Sequence, residues 1–191
     1  MKKIMVVCLL FVFSVLLSNV VHSAESPLLG INNFGLKVDY IQFFDDNNDN
    51  SFYLGFEGYK EIAENFYLGA EAGYVSTDGN LETFESDIDS DLIFIPVELN
   101  VKYVRKVFSG FVLGVGTGIS YNYAKEDLPS SYTSDTIDDW VFGGQLFADM
   151  NYTAGQFFFG IHSKVHLTDK GKDSANNYSN LRFGGQIGVM F

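Results

Sequence analysis

The chain has 191 residues, a formal net charge of −12 and 47% hydrophobic residues, with 19 glycines and 16% aromatic residues. An acidic balance of this size argues against nucleic acid as a partner. The length suits a single domain with a core of its own.

The first 24 residues have the features of a secretory signal peptide. Two lysines precede an apolar run over residues 4–17, and Ser23 and Ala24 offer a cleavage site. The run is too short and too early to favour a retained transmembrane helix. Cys8 lies inside it, so the predicted mature chain, 25–191, has no cysteine and no disulfide. We therefore expect export of one domain that is stabilised by packing and hydrogen bonds.

After this leader, apolar residues alternate with polar residues or glycine. In the third such segment, Phe66 and Leu68 fall on one face and Gly69 and Glu71 fall on the other. A period of two indicates β-strands that each have one apolar face. The eight segments are 36–40, 52–58, 66–74, 93–103, 111–121, 142–152, 157–167 and 181–191.

The polar faces distinguish a barrel from a sandwich. They hold glycines and charges of both signs rather than varied solvated side chains, which suits a narrow closed interior. Short and long connections alternate: 60–65, 104–107 and 153–156 are short, 76–91, 122–139 and 168–180 are long, and the first hairpin, 45–50, is brief. The pattern predicts an all-β fold, an eight-stranded antiparallel up-and-down transmembrane β-barrel, which satisfies its backbone in lipid by closing on itself.

Aromatic residues lie at the ends of the apolar faces. If the first strand runs outward, one set falls at the periplasmic rim and another at the outer rim, as expected for two interfacial girdles. The periplasmic set is Phe66, Tyr103, Phe111, Tyr152, Phe157 and Phe191, and the outer set is Phe52, Tyr74, Tyr121 and Phe142.

Two stretches carry a family resemblance, IPVELNVKY over residues 95–103 and the terminal IGVMF over residues 187–191. The mature chain resembles the small outer-membrane β-barrels of Gram-negative bacteria, the OmpA-like, OmpX-like and opacity-type group. The resemblance implies a place in the bacterial outer membrane, among its lipid and lipopolysaccharide. It also implies that Ile187, Val189 and Phe191 form the signal read by the barrel-assembly machinery.

The inward faces bring many charges into a narrow lumen. Buried charges are costly unless they are paired, so we expect a hydrogen-bonded network that fills the interior. Its predicted members are Lys37, Asp39, Glu57, Glu71, Glu98, Lys102, Asp149, His162, Lys164, His166 and Arg182.

Catalytic chemistry is not expected. His162 and Ser163 are adjacent, so strand alternation directs them to opposite faces and a nucleophile would not meet its base. His162 and His166 share the inward face and with a carboxylate could hold a metal, but membership of the charged network is the favoured interpretation. We predict a protein that is not an enzyme and needs no cofactor.

The long connections and the first hairpin hold 16 acidic residues against three lysines. One interpretation is a solvated rim that discourages loop pairing. The alternative is a Ca²⁺ or Mg²⁺ site, because these ions prefer oxygen ligands. The candidate ligands are Glu85, Asp87, Asp89, Asp91, Asp138 and Asp139.

Two functions remain open at this stage. The first is a structural and surface-interaction role, in which acidic loops display aromatic residues to a host protein, a phage or a neighbouring lipid. The residues in question are Phe84, Tyr123, Tyr132 and Tyr178. The second is a narrow porin or transporter of small solutes.

Overall fold

The structure, a computed structural model, describes residues 27–45, 47–82, 87–127, 136–172 and 176–191, without the side chains of 79–89. The predicted signal peptide lies outside these ranges. The strands are β1 (Asn32–Phe43), β2 (Ser51–Ala63), β3 (Phe66–Glu82), β4 (Asp87–Phe108), β5 (Phe111–Asp127), β6 (Thr136–Ala154), β7 (Phe157–Thr168) and β8 (Asn180–Met190). In the described part of the chain no helix is long and apolar enough to cross a membrane.

The eight strands form one closed antiparallel barrel. Each strand pairs with the next in the sequence, and β8 returns to pair with β1, which confirms the predicted fold. Leu36, Val38 and Tyr40 on β1 point away from the barrel axis, while Lys37 and Asp39 between them are buried inside. The period-two pattern therefore sorts apolar side chains to the outer surface and polar ones to the lumen.

The two ends of the barrel differ. At one end, which we call the short-turn end, tight turns join β2 to β3, β4 to β5 and β6 to β7, with positive φ at Asn65, Gly110 and Gly155. Only glycine and asparagine readily adopt this backbone conformation, so these residues fit the turns. The remaining connections lie at the opposite end, which we call the long-connection end.

The central strands are longer than the alternation predicts. Residues 76–91 were expected to be a loop, yet β3 and β4 remain paired through Thr77↔Leu92 to Glu82↔Asp87. In the same way β5 and β6 remain paired as far as Asp127↔Thr136. The loop boundaries were therefore wrong. The backbone ladder continues into polar sequence, where no apolar face is needed and the period-two signal is lost.

One interruption lies within the β3–β4 ladder. Pairing stops at Ala72↔Val97 and resumes in the same register at Val75↔Phe94, which skips Pro96 and its neighbour. Proline has no backbone N–H to donate. The break is therefore a direct consequence of that residue.

Gly184 and Gly185 provide a matched test of the close packing inside the barrel. A Cβ on Gly184 would overlap the carbonyl oxygen of Val38 and the Cα of Asp39, whereas one on Gly185 would meet only Gly160 O, at 3.7 Å. We expect Gly184→Ala to lower the free energy of unfolding by about 1–3 kcal/mol, because overpacked sites are strained. Gly185→Ala should change it little. Urea unfolding in detergent micelles measures both, and equal effects would contradict this packing.

Candidate functional site

The lumen is filled in three layers. Along β2 the buried residues run from Tyr53 through Glu57 to Tyr59, so a charged layer lies between two apolar ones. The apolar cluster nearer the long-connection end contains Ile41, Phe43, Tyr53, Val75, Leu92, Phe94, Ala124, Val141 and Tyr178. The cluster at the short-turn end contains Leu29, Tyr59, Tyr67, Val104, Val112, Phe147 and Phe158.

The middle layer is a connected set of ion pairs. The ammonium group of Lys37 lies 2.6 Å from Glu57 and 2.8 Å from Glu71. Lys164 bridges Glu71 and Glu98, at 2.7 Å from the first. Because each of these cations contacts two carboxylates, the buried charges compensate one another.

The same layer extends to both sides of this centre. Arg182 donates to Glu98 at 3.1 Å, and Lys102 lies 3.5 Å from Asp149. His162 Nδ1 lies 3.0 Å from an oxygen of Asp39. All the residues predicted for the luminal network are on the inward face and buried.

His166 has a hydrogen-bonding geometry that defines its tautomer. Arg182 Nη2 lies 3.0 Å from His166 Nδ1, and a guanidinium group can only donate. Nδ1 is therefore the acceptor, and in the neutral ring the proton is on Nε2, 2.7 Å from Ser120 Oγ. The side chain is thus held from both sides by the network, with no ring nitrogen left for a metal ion.

Two tyrosines that the sequence analysis did not assign to the network complete it. Tyr53 donates to Glu71 at 2.8 Å, and its ring lies 4.3 Å from the Arg182 guanidinium carbon. The Tyr59 ring lies 4.0 Å from the Lys102 ammonium. A Cβ at Gly55 or at Gly73 would overlap the Tyr53 ring. The inward glycines therefore make room for aromatic rings that stabilise buried cations through cation–π contacts.

The short-turn end is closed by the segment that precedes β1. Leu29 is 0% exposed and packs into the apolar cluster at the short-turn end. Tyr67 holds this segment, since its hydroxyl accepts from Leu29 N at 3.2 Å and donates to Gly30 O at 3.1 Å. Asn33 donates to Leu29 O at 3.1 Å. Leu29 lies outside every alternating segment, so strand periodicity did not predict its role.

The three candidate metal ligands whose side chains are described have different surroundings. Asp138 is exposed and accepts from the Tyr123 hydroxyl at 2.7 Å, whereas Asp139 is buried and accepts from Lys172 N at 2.9 Å. Asp91 faces outward, opposite Asp127 on β5. Of the other metal candidates, Glu85 is outside the described residues, and only the backbones of Asp87 and Asp89 are described.

Across the described ranges no group of three or more histidine or carboxylate side chains is placed to hold a metal ion. The Ca²⁺ or Mg²⁺ site stays a prediction.

The exposed pair formed by Lys125 and Asp127 has a local effect: the hydrogen bond from Lys125, at 2.6 Å, lowers the pKa of Asp127.

Tyr178 was expected to be displayed on a loop, and this was wrong. Its side chain is 0% exposed, its ring stacks on Phe94 at 5.6 Å, and its hydroxyl donates to Glu126 at 2.7 Å. The buried carboxylate provides a partner that no local pattern revealed. Tyr123 is on the outer face of β5, and Phe84 and Tyr132 lie outside the described residues.

Aromatic contacts run along the outer surface near both ends. At the short-turn end Phe111 contacts Phe108 and Tyr152, with ring centroids 4.7 and 5.0 Å apart. Near the other end Tyr121 stacks on Trp140, 4.9 Å away. Ile187, Val189 and Phe191 point outward at the short-turn end, where the Asn32 and Phe191 backbones exchange two hydrogen bonds of 2.8 and 2.9 Å.

Comparison with known proteins identifies the fold. Neither a protein-family model nor a curated protein sequence matches the chain. The structure is similar to that of Neisserial surface protein A (TM-score 0.67, 10% identity, covering 84% of this chain and 97% of that one). It is also similar to the outer membrane protein OprG from Pseudomonas aeruginosa (TM-score 0.59, 15% identity, covering 85% and 97%). A third similar structure is a major outer membrane protein from Thermus thermophilus (TM-score 0.56, 11% identity, covering 84% and 99%). The chain therefore has the fold of the small eight-stranded outer-membrane barrels.

Proposed function

We propose that the chain is a bacterial outer-membrane barrel with a closed lumen, which acts through the surface at its long-connection end. The observation that carries this proposal is the outer surface. Phe52, Leu54 and Phe56 are more than half exposed, and every strand presents similar residues. So large an exposed apolar surface on a closed barrel suits hydrocarbon rather than water.

Orientation follows from the connections. In transmembrane barrels the tight turns face the periplasm and the longer connections face outside. The three similar structures are, by name, outer-membrane or surface proteins. Their likeness supports the same kind of protein here.

Export and assembly belong to the same proposal. We expect the leader, residues 1–24, to be removed during export, and Ile187, Val189 and Phe191 to be read by the barrel-assembly machinery. Mass measurement of the chain from the outer-membrane fraction tests the first. Deleting Phe191 should reduce the amount recovered there, while an outward Ile119→Val control should not.

The proposed closed lumen predicts little conductance. Among the described residues a buried charged layer lies between two buried apolar clusters, so we expect the protein in a planar bilayer to show no stable current steps. An open porin measured in parallel is the control. Reproducible steps from the purified chain would contradict closure.

One observation favours the second candidate, a narrow solute path. Gln145 Oε1, Gln186 Oε1 and Asn122 Oδ1 are buried without a partner in the described chain, and such atoms commonly hold water. Stable current steps, together with swelling of proteoliposomes in small sugars, would support this candidate.

A surface-interaction role is supported by the rim. A row of three carboxylates crosses the outer face of three adjacent strands: Asp78, Asp91 and Asp127. Tyr123 and Trp140, which are cross-strand neighbours, lie on the same outer face. Lipopolysaccharide, a host protein or another surface ligand is the proposed partner. The test compares cell binding to surfaces and host matrix for wild type, a deletion and a variant with Asp78, Asp91 and Asp127 changed to asparagine. Equal binding by all three would contradict the role.

A further inference from the structure

The segment Asn176–Ser179, which we call the cap segment, leads into β8 at the long-connection end. Its residues Asn176, Tyr178 and Ser179 are buried, although they belong to a connection between strands. The Tyr178 ring stacks on Phe94 at an interplanar angle of 22°. It belongs to the apolar cluster nearer the long-connection end. The cap segment therefore covers the interior of the barrel at this end.

Glu126, on the inner face of β5, is a principal anchor of the cap segment. Its Oε1 accepts hydrogen bonds from the Tyr178 hydroxyl at 2.7 Å and from Asn176 Nδ2 at 2.8 Å. Asp45, in the first hairpin, accepts from Asn177 N at 3.2 Å. One carboxylate oxygen of Glu126 thus holds two side chains of the cap.

The other oxygen of Glu126 is in a different environment. Oε2 is buried and has no hydrogen-bond partner in the described chain. The neighbours of Glu126 in the strand ladders, Leu92 on β4 and Ile137 on β6, are apolar. The titratable groups that face it are Asp139 on β6 and Tyr178, while Asp45 reaches the cap segment at Asn177. An ionised Glu126 would be poorly compensated here.

We propose that the cap segment is a lid whose closure depends on the protonation of Glu126. A proton on Oε2 removes the uncompensated charge and leaves Oε1 free to accept both hydrogen bonds. Loss of that proton weakens closure, so the lid opens more often and exposes Phe94 to the solution. This inference requires only the barrel fold and is independent of the proposed surface role.

The direction of the pH dependence follows from the environment of the carboxyl group. Burial, more than the nearby Asp139, raises the pKa of Glu126, despite the hydrogen bonds from Asn176 and Tyr178. A raised carboxyl pKa means that closure is fully stabilised below the ordinary carboxyl range. That stabilisation is lost as the pH rises through the raised value.

Hydrogen exchange of the cap-segment amides measures the opening. In refolded protein in detergent, we expect protection, corrected for intrinsic exchange, to be lower at about pH 7.5 than at about pH 4, because closure loses stability as the pH rises through the raised pKa. Glu126→Gln keeps an oxygen acceptor but cannot ionise, so its protection should be equal at both pH values. Asp127→Asn, whose side chain faces outward, is the matched control and should behave as wild type.

Two results would overturn the proposal. One is wild-type protection that does not change with pH, and the other is a Glu126→Gln variant that keeps the wild-type change.

Discussion

Glu71→Leu is expected to lower the free energy of unfolding by about 3–5 kcal/mol, the range for breaking a buried ion pair by removing one partner. Glu71 lies 2.8 Å from Lys37 and 2.7 Å from Lys164, and it accepts from the Tyr53 hydroxyl. Its removal leaves two buried ammonium groups with fewer negative partners. Urea unfolding of the barrel in lipid vesicles, followed by Trp140 fluorescence, measures the loss.

The control for Glu71 is the exposed pair of Asp127 and Lys125. Asp127→Asn removes an ion pair of 2.6 Å whose side chains are 39% and 32% exposed. Exposed pairs contribute about 0–1 kcal/mol, so this variant should remain close to wild type. Similar losses in the two variants would show that the luminal layer has no special energetic weight.

Leu29→Ala is expected to destabilise the barrel by about 2–5 kcal/mol. The truncation removes apolar contacts and leaves a cavity among residues that are already packed. Leu29 packs with Tyr59, Tyr67 and Phe158 in the apolar cluster at the short-turn end. The same urea titration provides the measurement.

Ile31→Ala is the matched control for Leu29, since Ile31 lies two positions further along the same segment but is 56% exposed. We expect its effect to be clearly smaller. If the two variants are equally destabilised, the segment before β1 does not close the short-turn end by packing.

Strand alternation predicted much of the fold because lipid-facing and inward-facing side chains differ so strongly in polarity. Phe66 and Leu68 on one face and Glu71 on the other suffice to orient β3. The ends of the strands were not predictable in this way. Beyond Thr77 the sequence of β3 and the facing part of β4 is mostly polar, so it carries no period-two signal, yet the backbone pairing continues to Glu82↔Asp87.

The site was predictable to a different degree. Alternation placed Lys37 and Glu98 on the inner surface, but which cation meets which carboxylate depends on the stagger between strands. Tyr178 shows the limit: it belongs to a polar connection by sequence, and contacts with the distant Glu126 and Phe94 make its burial favourable. Leu29 was missed for the same reason, since its partner Tyr67 is far away in the chain.

The charged middle layer has a consequence for the order of folding. Its members come from β1, β2, β3, β4, β6, β7 and β8, so a half-built sheet would expose ionised groups before their counterparts arrive. Glu98, for example, can pair with Arg182 only after β8, the eighth strand of the barrel, has joined the sheet. An apolar interior would tolerate partial collapse. The charged interior of this barrel instead favours a single concerted step in which sheet closure and charge neutralisation occur together.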